Sequence, residues 1–316
     1  MDNKEQKKIS YVIPCYKSAL TISGVIEEIA ETMRTMSYLY EIILVNDYPY
    51  DNTIDVLKRL SNEDSRIKVV QFARNFGQHA ALMAGYQVAT GDYIVSLDDD
   101  GQTPANEVKK LIDKLEEGYD VVYARYSHKK HSLFRNFGSR LNGWMTEVML
   151  KKPKDLYVSS YFVMRSYIKE EILHYRNAYP YVIGLVLRST TNITNVDVQH
   201  RQREQGRSGY TLGKLLGLWL NGFTAFSVVP LRLASFLGIF AAGAGFVYLI
   251  YVLVNKIVNP LAPIGWTSMI ALLLIVGGII MLILGMIGEY VGRIYISLNA
   301  YPQYVVKETI NIKAGE

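Results

Sequence analysis

The chain holds a single cysteine, Cys15, among 316 residues. No disulfide can close within it, and no cysteine-clustered metal site can form. Neither a Gly-x-Gly-x-x-Gly turn nor a Gly-Lys-Ser/Thr phosphate loop occurs, which counts against a dinucleotide oxidoreductase and a P-loop NTPase. Histidine is scarce: His128 and His131 stand three apart in a basic loop, and no metal ligation is expected of them. The polar start from Met1 to Lys8 has no apolar segment behind it. No cleavable signal is therefore expected, and the N-terminal domain should stay in the cytoplasm.

Apolar residues, by contrast, make up half the chain, and Lys plus Arg exceed Asp plus Glu by 34 − 29 = 5. A mildly basic chain suits nucleic acid, phosphorylated substrates or an anionic membrane, and charge alone does not choose.

The most informative stretch runs from Gly91 to Pro104. Tyr93 to Leu97 is a short apolar, β-branched run that reads as a buried strand. It leads into Asp98, Asp99 and Asp100, then Gly101, Gln102, Thr103 and Pro104. Adjacent like charges repel by roughly 0.2–1 kcal/mol, and a hard cation between the first and third would relieve that repulsion. Strand alternation would aim Asp98 and Asp100 one way and Asp99 the other. Oxygen ligands without His or Cys suit Mg²⁺ or Mn²⁺. A solvated acidic turn is the bland alternative for such a triplet taken alone.

Context favours a site. Strands are expected at Ile9 to Pro14, Glu41 to Val45, Ile67 to Phe72, Tyr93 to Leu97 and Asp120 to Ala124. Helices are expected between them, at Leu20 to Met36, around Val56, Leu57 and Leu60, up to Ala89, and at Ala105 to Glu117. Asp51 or Asn52 is expected to cap the second helix. This alternation argues an α/β domain with a mostly parallel sheet and helices on both faces. Ligands bind such sheets beyond the carboxyl ends of the strands. Tyr16, Asp47, Arg74 and the Asp98–Asp100 pair all fall there.

The succession Val12-Ile13-Pro14-Cys15-Tyr16, Val45-Asn46-Asp47 with Asp51-Asn52-Thr53, Arg74-Asn75-Phe76-Gly77, Gly91-Asp92 and Asp98-x-Asp100-x-Gln102-x-Pro104 resembles the inverting family 2 glycosyltransferases. Within these it is similar to the polyprenyl-phosphate enzymes, acting on dolichol or undecaprenyl phosphate. The likeness continues at Gly206-Arg207-Ser208-Gly209-Tyr210 and at Gly288-Glu289-Tyr290-x-Gly292-Arg293-Ile294-Tyr295. It implies a GT-A-like domain with Asp98 and Asp100 as the metal pair holding a nucleotide-sugar diphosphate, and Gln102 close by in the catalytic set. It implies Pro14, Tyr16 and Asp47 at the base and ribose, with Arg74 beside them. A bound metal would neutralise charge developing on the departing nucleoside diphosphate.

Some positions depart from the family pattern. Asn46-Asp47-Tyr48-Pro49 replaces Asp-Asp-Gly-Ser, Lys17-Ser18 replaces a Glu near Tyr16, and Ser160 stands where an acceptor-side Asp is usual. A phosphate monoester with a second pKa of about 6 is already mostly ionised at neutral pH. It needs positioning, whereas a sugar hydroxyl needs a general base. Loss of the acid therefore favours a lipid phosphate held by cations. Arg125, Lys129, Lys130, Arg135 and Arg140 are candidates after the fifth strand, and Arg201, Arg203 and Arg207 with Ser208 before the membrane.

From Leu233 to Val254 there are 22 residues without a charge, and from Thr267 to Ile287 another 21. Each is long enough to span a bilayer, the first about 33 Å as a helix at ~1.5 Å per residue. Gly213 to Val229 reads as an interfacial helix. Arg232 and Arg293 flank the pair, which places both ends inside and the loop outside. Gly238 and Ala242, and Ala241 and Gly245, stand four apart. They suit close helix packing, in a homo-oligomer among other arrangements, and the ordinary abundance of Gly and Ala accounts for them equally. The expected organisation is a glycosyltransferase domain over 1–210, an interfacial helix over 211–230, a two-helix hairpin over 231–290 and a cytoplasmic tail over 291–316. Within that tail, Tyr301 to Val306 is a candidate added strand.

The expected activity is inverting transfer of a sugar from a nucleotide-diphosphate donor to a polyprenyl phosphate, for cell-surface glycan synthesis. The expected setting is a bacterial plasma membrane, with no nucleic-acid partner. Two alternatives stay open: transfer to a hydroxyl of a lipid-linked or polymeric glycan, and a membrane-anchored scaffold with a degenerate site. A processive synthase is disfavoured by the missing Gln-x-x-Arg-Trp segment.

Overall fold

The computed structural model describes residues 6–126, 152–199, 201, 229–259, 265–299 and 301–312. Eight strands form one sheet: β1 Lys8–Cys15, β2 Leu39–Asn46, β3 Ile67–Phe72, β4 Tyr93–Ser96, β5 Val121–Tyr126, β6 Phe162–Arg165, β7 Ile193–Val198 and β8 Val306–Ile310, in the order β7-β5-β6-β4-β1-β2-β3-β8. The β3-β2-β1-β4 block is parallel, as the alternating pattern predicts. Its strands are buried on both faces, so they read as continuous apolar runs.

Two departures matter. β6 inserts antiparallel between β4 and β5, so β5 is not the neighbour of β4. β8 pairs antiparallel with β3, a few residues beyond the segment expected to return. The segment read as a tail thus covers the edge of β3, whose unpaired backbone groups would otherwise face solvent. Asn311 secures it, its side-chain amide donating to the carbonyls of Ser61 and Ile67 at 2.7 and 2.9 Å.

Helices α1 Ile22–Arg34, α2 Thr53–Glu63, α3 Gln78–Val88 and α4 Val108–Glu116 follow the first four strands. α1 buries Ile22, Val25, Ile26, Ile29 and Met33, one stripe at helical spacing, each worth about 1.5–3 kcal/mol on full burial. Asp51 caps α2, its carboxylate accepting the Thr53 amide at 3.1 Å, while Asn52 makes no side-chain cap. α3 is small-residue rich because it lies tight on the sheet. A Cβ at Gly85 would come within 2.3 Å of Val12 Cγ1. Two shorter helices, α5 Ser166–Leu173 and α6 Val182–Ser189, follow β6.

The chain divides into two units, Met1–Thr211 with Tyr301–Glu316, and Leu212–Ala300. The second contains α7 Val229–Val258 and α8 Trp266–Leu298. Both expose large apolar side chains, among them Phe236, Phe240, Phe246, Leu273, Met281 and Tyr295. Among the described residues, one helical stretch, Ile275–Gly292, is long and apolar enough by itself to cross a membrane. The interfacial helix expected over 211–230 lies outside the described residues up to residue 228.

Candidate active site

The carboxyl ends of β1, β2, β3 and β4 are laced into a closed circuit. Asp47, directly after β2, is buried. Its two oxygens accept the backbone N–H groups of Phe76 and Gly77 at 2.7 and 2.8 Å, fixing the loop from β3 to α3. Gly77 sits at φ +96°, where a side chain is disfavoured. Gln78, the first residue of α3, turns back and donates Nε2 to Asp98 at 3.0 Å. Asp99 accepts the backbone N–H of Tyr16 at 2.9 Å and the hydroxyl of Ser18. The Asp47 amide closes the circuit on the Cys15 carbonyl at 3.0 Å.

β4 stops at Ser96, so the three carboxylates lie on a bend past the strand and not on its alternating faces. The expected divergence of Asp98 and Asp99 is present for a different reason. Asp98 meets Gln78 and the hydroxyl of Ser160, and Asp99 meets the loop after β1. Asp100 accepts the Gln102 amide at 3.1 Å, and Gly101 takes φ +69° to make the turn.

Electrostatics follow from crowding. Burial pushes the Asp98 carboxyl up to about 6; Ser160 and Gln78 pull it down, while Asp100 and Asp99 push it further up. Burial also raises Asp99, against the hydrogen bonds from Ser18 and Tyr16. Asp47 is raised to about 6 by burial, against its two backbone donors.

Beside the bend stands an aromatic group. Tyr16 and Tyr48 meet edge to face at 5.0 Å, Tyr48 and Tyr50 at 5.4 Å. Lys17 Nζ lies 4.8 Å from the Tyr48 ring centre. Tyr16 and Tyr50 are exposed, and Pro14 is buried within β1.

A sequence profile of glycosyl transferase family 2 matches residues 10–173, and one of the GtrB C-terminal hairpin matches residues 229–294. The chain belongs to glycosyl transferase family 2. An uncharacterized glycosyltransferase of Bacillus subtilis, YkcC, is 36% identical over 96% of this chain and 94% of its own. The undecaprenyl-phosphate 4-deoxy-4-formamido-L-arabinose transferase of Yersinia enterocolitica is 34% identical over the whole chain and 97% of its own. Among solved structures, glucosyl-3-phosphoglycerate synthase of Mycobacterium tuberculosis, in complex with Mn²⁺, UDP-glucose and phosphoglyceric acid, shares the fold. Its TM-score is 0.51 at 17% identity, covering 67% of this chain and 75% of that one.

In this family 2 enzyme the structure gathers Asp98, Asp100, Gln102, Pro14, Tyr16 and Asp47 at one edge of the sheet. Arg74 is engaged elsewhere: its guanidinium donates to the Tyr301 hydroxyl at 3.0 Å and lies over Phe76. Arg125 forms a two-pronged pair with Asp197, at 2.6 and 3.0 Å, because β5 and β7 set those residues opposite each other. Arg135, Arg203, Arg207 and Ser208 lie outside the described residues, with Lys129, Lys130, Arg140, His128 and His131. Arg201 is described. Its amide donates to the Gln102 carbonyl at 3.0 Å, and its guanidinium binds Glu28.

Gln78 and Ser18 had no role in the motif reading, although Gln78 directly follows Arg74-Asn75-Phe76-Gly77. Gly91-Asp92 proves structural. A Cβ on Gly91 would meet Ser10 Oγ at 2.7 Å and the Lys8 carbonyl at 2.8 Å, and Asp92 accepts the Lys8 amide at 2.8 Å. Both lie at the opposite end of the sheet from the carboxylates.

The donor set fits a hard divalent cation. Among the described residues no group of three or more His, Cys, Asp or Glu forms a metal cage. Two carboxylates alone would leave phosphate oxygens and water to complete the ligand shell, the usual arrangement for Mg²⁺ at a nucleotide.

Proposed function

We propose that this chain is a membrane-bound, inverting glycosyltransferase that moves a sugar from a nucleoside-diphosphate donor to a polyprenyl phosphate. The observation that carries this reading is the Asp98–Gln102 bend. It is built by long-range contacts at the carboxyl edge of a parallel sheet, in a chain matched over its whole length by an undecaprenyl-phosphate transferase. Asp98 and Asp100 are the residues that would hold Mg²⁺ or Mn²⁺, which supplies neutralisation of charge on the departing diphosphate. Pro14, Tyr16 and Asp47 serve the nucleotide side, Asp47 by fixing the Phe76–Gly77 loop.

In the reaction, a phosphate oxygen of the acceptor forms a bond to the anomeric carbon. The bond from that carbon to the donor's diphosphate oxygen breaks on the opposite face. The electron pair leaves with the nucleoside diphosphate, and the anomeric configuration inverts. The acceptor oxygen is mostly deprotonated at neutral pH, so Ser160 in place of an acid removes nothing the chemistry requires. Arg125 could contact the acceptor only by giving up Asp197. Arg135, Arg203, Arg207 and Ser208 remain the proposed phosphate-binding set, with Lys129, Lys130 and Arg140 as further candidates.

α7 and α8 are proposed as two spans, with Arg232 and Arg293 at the cytoplasmic ends and the catalytic unit on that side. Their length, 30 and 33 residues, and their exposed apolar surfaces support this. The test uses membranes carrying the full chain, radiolabelled nucleotide sugars and undecaprenyl phosphate, with the lipid product read by mass. Asp98→Asn and Asp100→Asn should each reduce transfer at least 100-fold. Undiminished transfer in both would overturn the assignment of the bend.

A further inference from the structure

The motif Asp98-x-Asp100 leaves its middle position unspecified, yet here that position holds the bend to the loop after β1. Asp99 accepts the Tyr16 amide at 2.9 Å and the Ser18 hydroxyl on the same oxygen, Oδ2. Between those donors Lys17 takes φ +59°, the left-handed region that side chains with a Cβ disfavour. The three residues are therefore curled around one carboxylate oxygen. Ser18 is itself fastened from behind, its amide donating to Thr53 Oγ1 at 3.0 Å, while Thr53 Oγ1 donates to Asp51 at 3.0 Å. One chain of hydrogen bonds thus runs from the carboxylate bend through the Tyr16 loop to the start of α2.

We propose that Asp99 is a positioning residue that sets the Tyr16–Ser18 loop, and with it the nucleotide side of the site, in register with the carboxylate bend. The inference rests on the proposed donor chemistry and adds a specificity device to it. A carboxylate suits the task because one oxygen can accept two donors at once. An Asn in its place can turn its carbonyl oxygen to the same position and accept both donors, but it lacks the charge that strengthens the two bonds. Tyr16 carries the exposed ring, edge to face with Tyr48, so freeing its backbone disperses the surface that meets the nucleotide. Reacting atoms remain with Asp98 and Asp100.

The experiment compares wild type, Asp99→Ala, Asp99→Asn, Ser18→Ala and Asp99→Ala/Ser18→Ala as full chains in detergent. It measures nucleoside-diphosphate affinity with Mn²⁺ by calorimetry, KM for the nucleotide sugar, and kcat at saturating donor. Asp99→Ala should weaken nucleotide affinity and raise donor KM about tenfold with kcat changed less than threefold. Asp99→Asn should fall between, and the double variant should be no worse than Asp99→Ala. Ser18→Ala, which keeps the carboxylate, guards against a variant that fails to fold, and should raise KM by a smaller factor. Unchanged affinity in Asp99→Ala, multiplying effects in the double variant, or a loss confined to kcat would each overturn the inference while leaving the proposed function standing. A well-folded wild type that binds no nucleoside diphosphate would overturn both.

Discussion

Ser160 donates its hydroxyl to the carboxylate of Asp98 across 62 residues of chain. The position that lacks an expected acid therefore lies against Asp98, one of the two residues proposed to hold the metal. Ser160→Ala should lower kcat/KM about tenfold, the loss of a hydrogen bond to a charged group being worth roughly 1.5 kcal/mol. Ser160→Asp would add a fourth carboxylate to a crowded bend and should make activity more dependent on added Mn²⁺. Initial rates against Mn²⁺ concentration decide both, and indifference to either change would remove Ser160 from the site.

Gln78 holds the other side of Asp98. Gln78→Ala should cost about 1 kcal/mol, roughly fivefold in kcat/KM. Gln78→Glu should cost more, because it replaces a donor by a like charge. Steady-state kinetics on the two variants would show the order, and a Glu variant as active as the Ala variant would contradict it.

At the opposite end of the sheet, Glu41 is buried. Burial alone would raise its pKa, but hydrogen bonds from Lys8, Ser10 and Thr90 outweigh that and bring it to about 2 from an ordinary 4.5. A depressed carboxylate contributes stability above the unfolded pKa and loses it as pH falls through the folded one. Between about pH 4.5 and 2 the chain should lose on the order of 3 kcal/mol from this residue. Asp47 acts in the opposite sense: raised to about 6 from 3.8, its contribution is complete below pH 3.8 and is lost as pH rises through 6. Thermal melts against pH should show the acid-side loss in wild type and its absence in Glu41→Gln.

Gly91→Ala should destabilise the fold by about 1–3 kcal/mol through overpacking. Its Cβ would fall 2.7–2.8 Å from Ser10 and the Lys8 carbonyl, and nothing at the carboxylate bend is touched. The expected outcome is a lower melting temperature with unchanged donor KM. An altered KM with unchanged melting would place Gly91 in the site after all.

Asn311 combines two side-chain donations with φ +58°. Asn311→Ala loses the hydrogen bonds and strains the backbone, while Asn311→Gly loses only the bonds. The Ala variant should therefore melt lower than the Gly variant, by a difference corresponding to about 1 kcal/mol. Equal melting would mean that backbone conformation does not decide how β8 is held.

Sequence patterns were most legible where burial imposes a period. The β1 to β4 strands, buried on both faces, gave apolar runs, and α1 gave a single stripe; together they located the strand ends and the carboxylates. Four-residue β6 leaves no such trace, since Phe162–Arg165 is too short to show a period and passes directly into α5. For the same reason the neighbour of β4 could not be named in advance. Arg125 is a candidate by its charge and Arg74 by its place at a strand end, and neither property discloses that Asp197 or Tyr301 already holds the side chain.

By itself the sequence determined the parallel core, the place of Asp98 and Asp100 at a strand end, and two long uncharged segments, because each is written in residues close along the chain. Tertiary structure alone decided that Asp98 is gripped by Gln78 and Ser160, that Asp99 holds the Tyr16 loop, and that the last described strand covers β3. Those outcomes depend on partners 20 to 83 residues apart, or more than 200 for β8. A local period states which side chains must be buried; it carries no record of what they will meet.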